Sequence, residues 1–479
     1  MKNLMTIVSS LKVPVLFFLL LSYNNAMGQR GDRRPNFVIV MTDDQGYGDV
    51  GYRQNGKIKT PNLDDMAKKG LRLDRYYTAP VCSPTRASVI TGRYPTRTGV
   101  FSWGHTLRPQ EKSFVELLKA NGYQTGFFGK WHLGSIAANK STNPGARGFD
   151  SWYAAANFYD NDPWMSKEGK PMHLKGESSD VTIDLAMKYI KDAAGNNSPF
   201  IVFVWLGSPH LPHKATEELK NLYPNEAENM KNYYGELTGI DRAVGKLRAQ
   251  LKSMGLSNET VLWFSSDNGG KLPEGNNGVL RGQKGTLWEG GIRVPAMVEW
   301  TGKIDSRIST MPTSTVDIFP TVLELAGVSL SGIDYPLDGI SLVPLLMNKM
   351  DVRPKPLGFW DYDEIKGNGM KSDQIVQDYQ RVLAGEMPLD SLNEGLLNSP
   401  DMPYVGLDQY PYSGWFAWVE NDWKLHQKGE EFELYNLVDD VKEEHNLAQK
   451  YPDRVKRMKE ALLNWQHSVI RSIRGKDYK

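Results

Sequence analysis

The chain has 479 residues, with 57 Lys plus Arg against 56 Asp plus Glu and a single cysteine. A charge balance this close to zero gives no basis for nucleic acid or an acidic membrane surface as partner. With 40% apolar and 11% aromatic residues the chain can bury a large core, its length suits two or three lobes, and it shows no low-complexity tract or internal repeat.

The N-terminus reads as a secretory signal over residues 1–28. Lys2 and Lys12 flank its start, Val13 to Leu21 is apolar, and Ala26-Met27-Gly28 offers small residues for cleavage. The apolar run is too short to span a membrane, and no later segment is long enough. No cysteine lies near the cleavage site, which excludes a lipoprotein anchor; an uncleaved anchor is the competing reading. The expectation is a protein exported to the periplasm or secreted. Exported chains use cysteines in pairs, so the unpaired Cys82 points to intermolecular pairing or to a reactive group.

Asn36 to Met41 is a continuous, β-branched-rich run that suits a strand buried on both faces, and it ends at Thr42-Asp43-Asp44-Gln45-Gly46. Asn62 to Lys69 before Gly70, and Lys112 to Ala120 before Asn121-Gly122, read as short helices with C-terminal stops. Three more strands run into polar clusters. Gln124 to Phe128 meets Gly129-Lys130-Trp131-His132, Pro199 to Leu206 meets Gly207-Ser208-Pro209-His210, and Thr260 to Phe264 meets Ser265-Ser266-Asp267-Asn268-Gly269. A long helix over about Glu228 to Met254 separates the last two. The alternation predicts an α/β fold with a large, mainly parallel sheet between helices. Ligands collect at the carboxyl ends of such strands, and four of these ends carry Asp43/Asp44, Lys130/His132, His210 and Asp267/Asn268. Each cluster alone is an ordinary solvated loop; four together are not.

Further on, Gly269 to Gly291 reads as a Gly-rich loop over a site or a plain surface loop, and Val316 to Ala326 as a helix stopped by Gly327. Beyond about Leu346 the alternation fades, and Trp360 to Tyr412 reads as irregular. Short alternating runs at Gly414 to Val419, Trp423 to His426 and Phe432 to Tyr435 predict an antiparallel sheet, followed by an amphipathic helix from about Asp453 to Ile473. The expected division is a catalytic domain over 29–354 and a smaller α+β subdomain over 355–479.

The chemistry centres on Thr78-Ala79-Pro80-Val81-Cys82-Ser83-Pro84-Thr85-Arg86. Ser83 suits an N-cap and Pro84 the first helical position, so a helix is expected to begin there. That sets Cys82 beside free N–H groups and a positive dipole end, with Arg86 about a turn later. A lone buried thiol is the plain alternative. Asp43, Asp44, Asp267 and Asn268 offer hard oxygen ligands for Ca²⁺ or Mg²⁺; a buried network of ion pairs with Lys and Arg fits the same acids.

Cys82-Ser83-Pro84-Thr85-Arg86, with Gly92-Arg93 behind it, resembles the C-x-P-x-R signature of type I sulfatases in the alkaline-phosphatase-like superfamily. Other segments fit that family in place and order. They are Asp43-Asp44, Gly129-Lys130-Trp131-His132-Leu133-Gly134, Pro209-His210-Leu211-Pro212, Asp267-Asn268-Gly269 and Lys284, so the resemblance covers roughly 35–345 with a family-like C-terminal sheet and helix. It implies that Cys82 is oxidised by a formylglycine-generating or radical maturation enzyme to formylglycine (3-oxoalanine), whose hydrate attacks sulfur. It further implies a Ca²⁺, or a Mg²⁺, on Asp43, Asp44, Asp267, Asn268 and the modified Cys82. Lys130, Lys284 and Arg86 then offset negative charge, His210 protonates the leaving oxygen, and His132 takes the proton that lets the sulfated intermediate collapse. Opposite proton transfers suit a histidine pair near neutral pH. His213 is the competitor for the role of His210.

The expected function is hydrolysis of sulfate esters, first of sulfated polysaccharides or their oligosaccharides. A phosphodiester or phosphonate monoester hydrolase of the same superfamily, and a non-catalytic glycan-binding relative, are the other readings. Trp103, Trp152, Tyr153, Tyr159 and Trp164 hint at stacking on carbohydrate, and each equally suits a core. No partner chain or oligomeric state follows from the sequence.

Overall fold

The computed structural model describes residues 34–53, 55–361, 370–388, 391–394 and 413–478. The signal segment expected at 1–28 and part of the stretch 360–412 lie outside the described residues.

Five strands form the parallel centre of the main sheet: β1 (Asn36–Thr42), β2 (Gln124–Lys130), β3 (Ser151–Ala155), β4 (Phe200–Trp205) and β5 (Thr260–Ser266). Their order across the sheet is β5-β1-β4-β2-β3, extended at both edges to 10 strands, with antiparallel pairings entering at Ala296–Glu299 on one side and Trp164–Lys167 on the other. The register pairs Thr42 with Ser266, Met41 with Trp205, and Gly129 with Trp205. The carboxyl ends of β1, β2, β4 and β5 therefore open onto one place.

Helices α1 (Cys82–Thr91), α2 (Ser178–Gly195), α3 (Glu228–Ser253) and α4 (Ile318–Ala326) cover the sheet. The pleat of β1 sends Phe37, Ile39 and Met41 into a core shared with α1 and α4, and Val38 and Val40 into a core shared with α2 and α3. Each such side chain contributes roughly 1.5–3 kcal/mol by leaving water. A strand apolar on both faces is what the unbroken run at 36–41 encodes.

Several expectations need correction. Helix α2 is not among the elements expected above, although Ile183, Ala186, Met187, Ile190 and Ala193 are buried on one face at helical spacing. The stretch from Trp360 is not irregular throughout: Trp360 and Asp361 end a strand, and Ser372–Leu383 is a helix burying Ile375, Val376 and Tyr379. Polar Asp and Gln between those apolar residues mask the stripe.

The C-terminal sheet is antiparallel as expected, but has four strands: β6 (Leu357–Asp361), β7 (Trp415–Glu420), β8 (Trp423–Lys428) and β9 (Glu431–Asn436). The closing helix α5 (Pro452–Ile473) packs Met458, Leu462, Trp465 and Val469 into a core that also takes Tyr94, Phe101 and Val316. Among the described residues, no helix is long and apolar enough to cross a membrane.

Candidate active site

Helix α1 begins at Cys82 itself, two residues earlier than a Ser83 cap with Pro84 as first helical residue predicts. Val81 precedes it in an extended conformation (φ −147°, ψ 164°) and gives no side-chain cap. Ser83 Oγ accepts instead from the Gly104 N–H at 3.0 Å, and Thr85 Oγ1 from the Ala79 N–H at 3.0 Å. Every residue of α1 is buried, and its positive end, at Val81 and Cys82, faces the cavity described below. Gly92 closes the helix at φ +65°, where a Cβ would stand 2.7 Å from Phe319 Cβ. Arg93 binds Glu111 at 2.7 Å and Ser472 on α5, so the end of the signature anchors the C-terminal helix.

Around Cys82 the structure gathers the residues singled out in the sequence. Cys82 Sγ lies 3.2 Å from His132 Nδ1. Lys130 Nζ donates to Asp43 Oδ2 at 2.6 Å, Lys284 Nζ to Asp44 at 2.5 and 2.7 Å, and Arg86 to Asp267 Oδ2 at 2.8 Å and the Lys130 carbonyl at 2.8 Å. Asn268 Nδ2 donates to Asp44 Oδ1 at 2.8 Å, and the Asp44 N–H to Asp267 Oδ1 at 3.1 Å. Asp44 and His132 hold left-handed backbone, φ +69° and +54°, a strain the surrounding bonds hold in place. Gly129 (φ +114°) permits the turn that aims Lys130 and His132, since a Cβ there would meet the Trp205 carbonyl oxygen at 1.8 Å.

Burial and paired charge set the protonation states. Burial pushes Asp43 and Asp44 up, but neighbouring cations outweigh it, chiefly Lys130 for Asp43 and Lys284 for Asp44, and both stay ionised. Asp267 is pushed up to about 7 by burial and then by the charge of Asp43. Burial raises the Cys82 thiol, against the pull of Lys130 and Lys284, and holds it protonated. His132 falls well below its usual range through burial and then Lys130, and His210 falls to about 4 through burial and then Lys284. Both imidazoles are neutral at pH 7.

Asp43, Asp44 and His210 each present a ligand atom within 4.8 Å of the others. Asp43 Oδ1 and Asn268 Oδ1 are buried and accept no hydrogen bond. Orphaned hard oxygens from two strand ends fit a divalent cation better than a closed set of ion pairs. Both readings of the acids thus meet in one cluster: three carboxylates neutralised by Lys130, Lys284 and Arg86, with two oxygens left over.

The two candidate histidines occupy different surroundings. His210 lines the cavity above Cys82, stacks on Phe158 with ring centroids 4.7 Å apart, and places Nε2 3.8 Å from Asp44 Oδ2. His213 is tied to Glu236 at 3.2 Å and does not line it. The cavity measures about 490 Å³ and adds Trp103, Asn157, Phe158, Leu211 and Lys271, of which only Trp103 was singled out in the sequence. Trp152 and Tyr159 belong to the core, Trp164 stacks on His173, and Tyr153 packs beside Phe128. Asn157 and Phe158 follow β3 directly, so reading that strand would have found them.

The loop carrying Lys284 is clamped from the C-terminal sheet. The Gly285 N–H donates to the Pro80 carbonyl at 2.8 Å. Lys424 on β8, fully buried, sits 3.0 Å from both Glu289 and Glu443; Glu443 accepts from the Glu289 N–H at 2.7 Å, and its own carbonyl accepts from Arg281 at 2.7 Å.

The family model described as Sulfatase matches residues 35–328. The chain is 31% identical over 434 residues to the steryl-sulfatase of Rattus norvegicus, covering 70% of this chain and 74% of that one. It is 32% identical over 339 residues to an ulvan-active sulfatase of Formosa agariphila, covering 66% of this chain and 65%, just under two thirds, of the relative. The solved structure of Ps i-CgsB in complex with k-i-k-neocarrahexaose superposes with a TM-score of 0.77 at 25% identity, covering 91% of this chain and 93% of that one. The chain belongs to the sulfatase family, enzymes that hydrolyse sulfate esters.

Proposed function

We propose that this sulfatase removes sulfate from sulfated carbohydrate, polysaccharide or oligosaccharide, using a matured Cys82 and a divalent cation. The observation that carries the reading is Cys82 at the buried start of α1, 3.2 Å from a neutral His132 and ringed by three acid–base pairs. One relative named as active on ulvan, and one similar structure solved in complex with a neocarrahexaose, support carbohydrate as the class.

Asp43, Asp44, Asp267 and Asn268 would hold the cation, Ca²⁺ first and Mg²⁺ second by their all-oxygen chemistry. Bound there, a cation withdraws charge from a sulfuryl oxygen, and formylglycine at position 82 supplies a hydrated aldehyde as nucleophile. The chain's own residues do the rest. Lys130, Lys284 and Arg86 meet the negative sulfuryl oxygens with charge already oriented by Asp43, Asp44 and Asp267. His132, neutral and facing position 82 through Nδ1, takes a proton there.

His210 serves the leaving oxygen. Its Nδ1 contacts the Leu211 carbonyl at 2.5 Å, which leaves Nε2 toward the cluster. The negative charge of an arriving sulfate ester opposes Lys284 and raises His210 toward a working acid, with Lys284 assisting. Among the described residues, the candidate metal group at the site is Asp43, Asp44 and His210, which suits one metal set rather than the two of many phosphoryl hydrolases.

Residues 1–28 act in this proposal as an export signal. The part over 355–479 holds the Lys284 loop against the catalytic part over 29–354, through Lys424 and Glu443.

The test is sulfate release by protein made in a host that matures Cys82. The panel is ulvan oligosaccharides, neocarrahexaose, sulfated animal glycans, a steroid sulfate and 4-nitrophenyl sulfate. Release from a carbohydrate is expected; release from the steroid and aryl esters alone overturns the carbohydrate reading, and release from none overturns the proposal.

A further inference from the structure

The cavity over Cys82 is far larger than a sulfate group, and its rim carries a cation that the sulfate centre does not use. At about 490 Å³ it is in the range that encloses a whole small ligand. Trp103 stands in it 42% exposed, an unusual outlay of indole surface, beside Phe158 and Leu211. Asn157, nearly buried, donates Nδ2 to the Met370 carbonyl at 2.9 Å and leaves Oδ1 without a partner.

Each cation of the sulfate centre is already held by carboxylate: Lys130 by Asp43, Lys284 by Asp44, and Arg86 by Asp267 at 2.8 Å with Asp43 Oδ1 at 3.9 Å. Lys271 differs. Among the described residues its ammonium makes no hydrogen bond or ion pair, yet it lines the same cavity. Its backbone is fixed on both sides. The Lys271 carbonyl accepts from the Gly275 N–H at 2.8 Å, the Leu272 N–H donates to Gln283 at 2.9 Å, and the Gly270 N–H to Asn277 at 2.8 Å. A cation on a pinned turn, facing a cavity whose acid Asp44 is already neutralised, has surplus charge for a second anion.

We propose that Lys271 is a specificity-determining residue that binds a second anionic group, sulfate or carboxylate, on the saccharide whose sulfate ester lies over Cys82, while Trp103 stacks on its sugar ring. This rests on the sulfatase reading of the site. The contact is exposed to solvent, so its effect is moderate and sensitive to salt.

The experiment uses matured full-length enzyme, wild type, Lys271→Gln and Lys271→Arg, with aldehyde content at Cys82 checked in each. The substrate is the sulfated disaccharide cleaved fastest from the glycan panel, in three forms whose neighbouring sugar bears a hydroxyl, a sulfate or a carboxylate. Wild type is expected to favour a charged form through KM, and the form favoured identifies the anion. In Lys271→Gln the ratio of kcat/KM, charged over uncharged, is expected to fall about two- to fivefold, with the loss in KM. Lys271→Arg is expected to keep the ratio, and added salt to shrink it in wild type. An equal ratio in wild type and Lys271→Gln overturns the proposal while sulfate release upholds the sulfatase reading. No release from any form by wild type overturns both.

Discussion

Cys82 Sγ and His132 Nδ1 lie 3.2 Å apart, both buried, one at the first residue of a helix and the other just past the end of a strand. Burial keeps the first protonated and the second neutral, so position 82 faces a base that is ready to accept a proton. Cys82→Ala is therefore expected to cut sulfate release by at least about a thousandfold. The fold is expected to persist, because the change removes one buried atom; unchanged circular dichroism and Tm together with lost turnover are the checks. A variant that keeps most of its activity contradicts the role.

His210→Ala separates substrates by leaving group. An alkyl sugar oxygen needs a proton as it departs, and an activated phenolate does not. The loss is expected to be about 10²–10⁴-fold on sulfated sugars and much smaller on 4-nitrophenyl sulfate. Equal losses on both would remove His210 from the acid role.

Removal of divalent cations tests the unsatisfied Asp43 Oδ1 and Asn268 Oδ1. Dialysis against a chelator is expected to lower both activity and Tm, with Ca²⁺ or Mg²⁺ restoring them, since a ligand of the folded state alone stabilises it. Full activity and an unchanged Tm after exhaustive chelation would show that the acids serve only Lys130, Lys284 and Arg86.

Much of this arrangement was legible in the sequence, and the limits have physical causes. A strand buried on both faces writes an unbroken apolar run, as Asn36 to Met41 does, and the polar residue after it marks the ligand end. Ser151–Ala155 is shorter, and its apolar run Trp152 to Ala156 has no β-branched residue to mark it as a strand, so Asn157 and Phe158 beyond it went unread. Lys424 meets Glu289 across 135 residues of chain, a pairing that no local pattern announces. Trp103 and Trp152 look alike in sequence; only packing makes one a cavity wall and the other core.

That long-range pair yields its own expectation. Lys424→Met leaves Glu289 and Glu443 facing each other in the interior, and breaking a buried pair in this way costs about 3–5 kcal/mol. Because the clamp also seats the Lys284 loop, kcat for sulfate release is expected to fall in protein that is still folded. A variant with lower Tm and unchanged kcat would confine Lys424 to stability.

Asp241 on α3 sets a pH dependence of stability away from the site. It accepts from the Leu63 N–H at 2.8 Å and Asn62 Nδ2 at 2.7 Å, yet burial outweighs these bonds and raises it from 3.8 to about 6. Between those values the folded chain keeps a proton that the unfolded chain releases, so stability falls as pH rises through that window, by up to about 3 kcal/mol. Asp241→Asn is expected to gain on wild type as pH goes from 4 to 7 in denaturant titrations. A constant difference between the two would rule this out.

Sulfate release by this mechanism depends on the chemical state of one residue. The direct measurement is the mass of the peptide carrying Cys82, from protein expressed with a maturation enzyme and shown to release sulfate. An aldehyde is expected at that position, in proportion to activity across preparations. An intact, alkylatable thiol in fully active protein would contradict it.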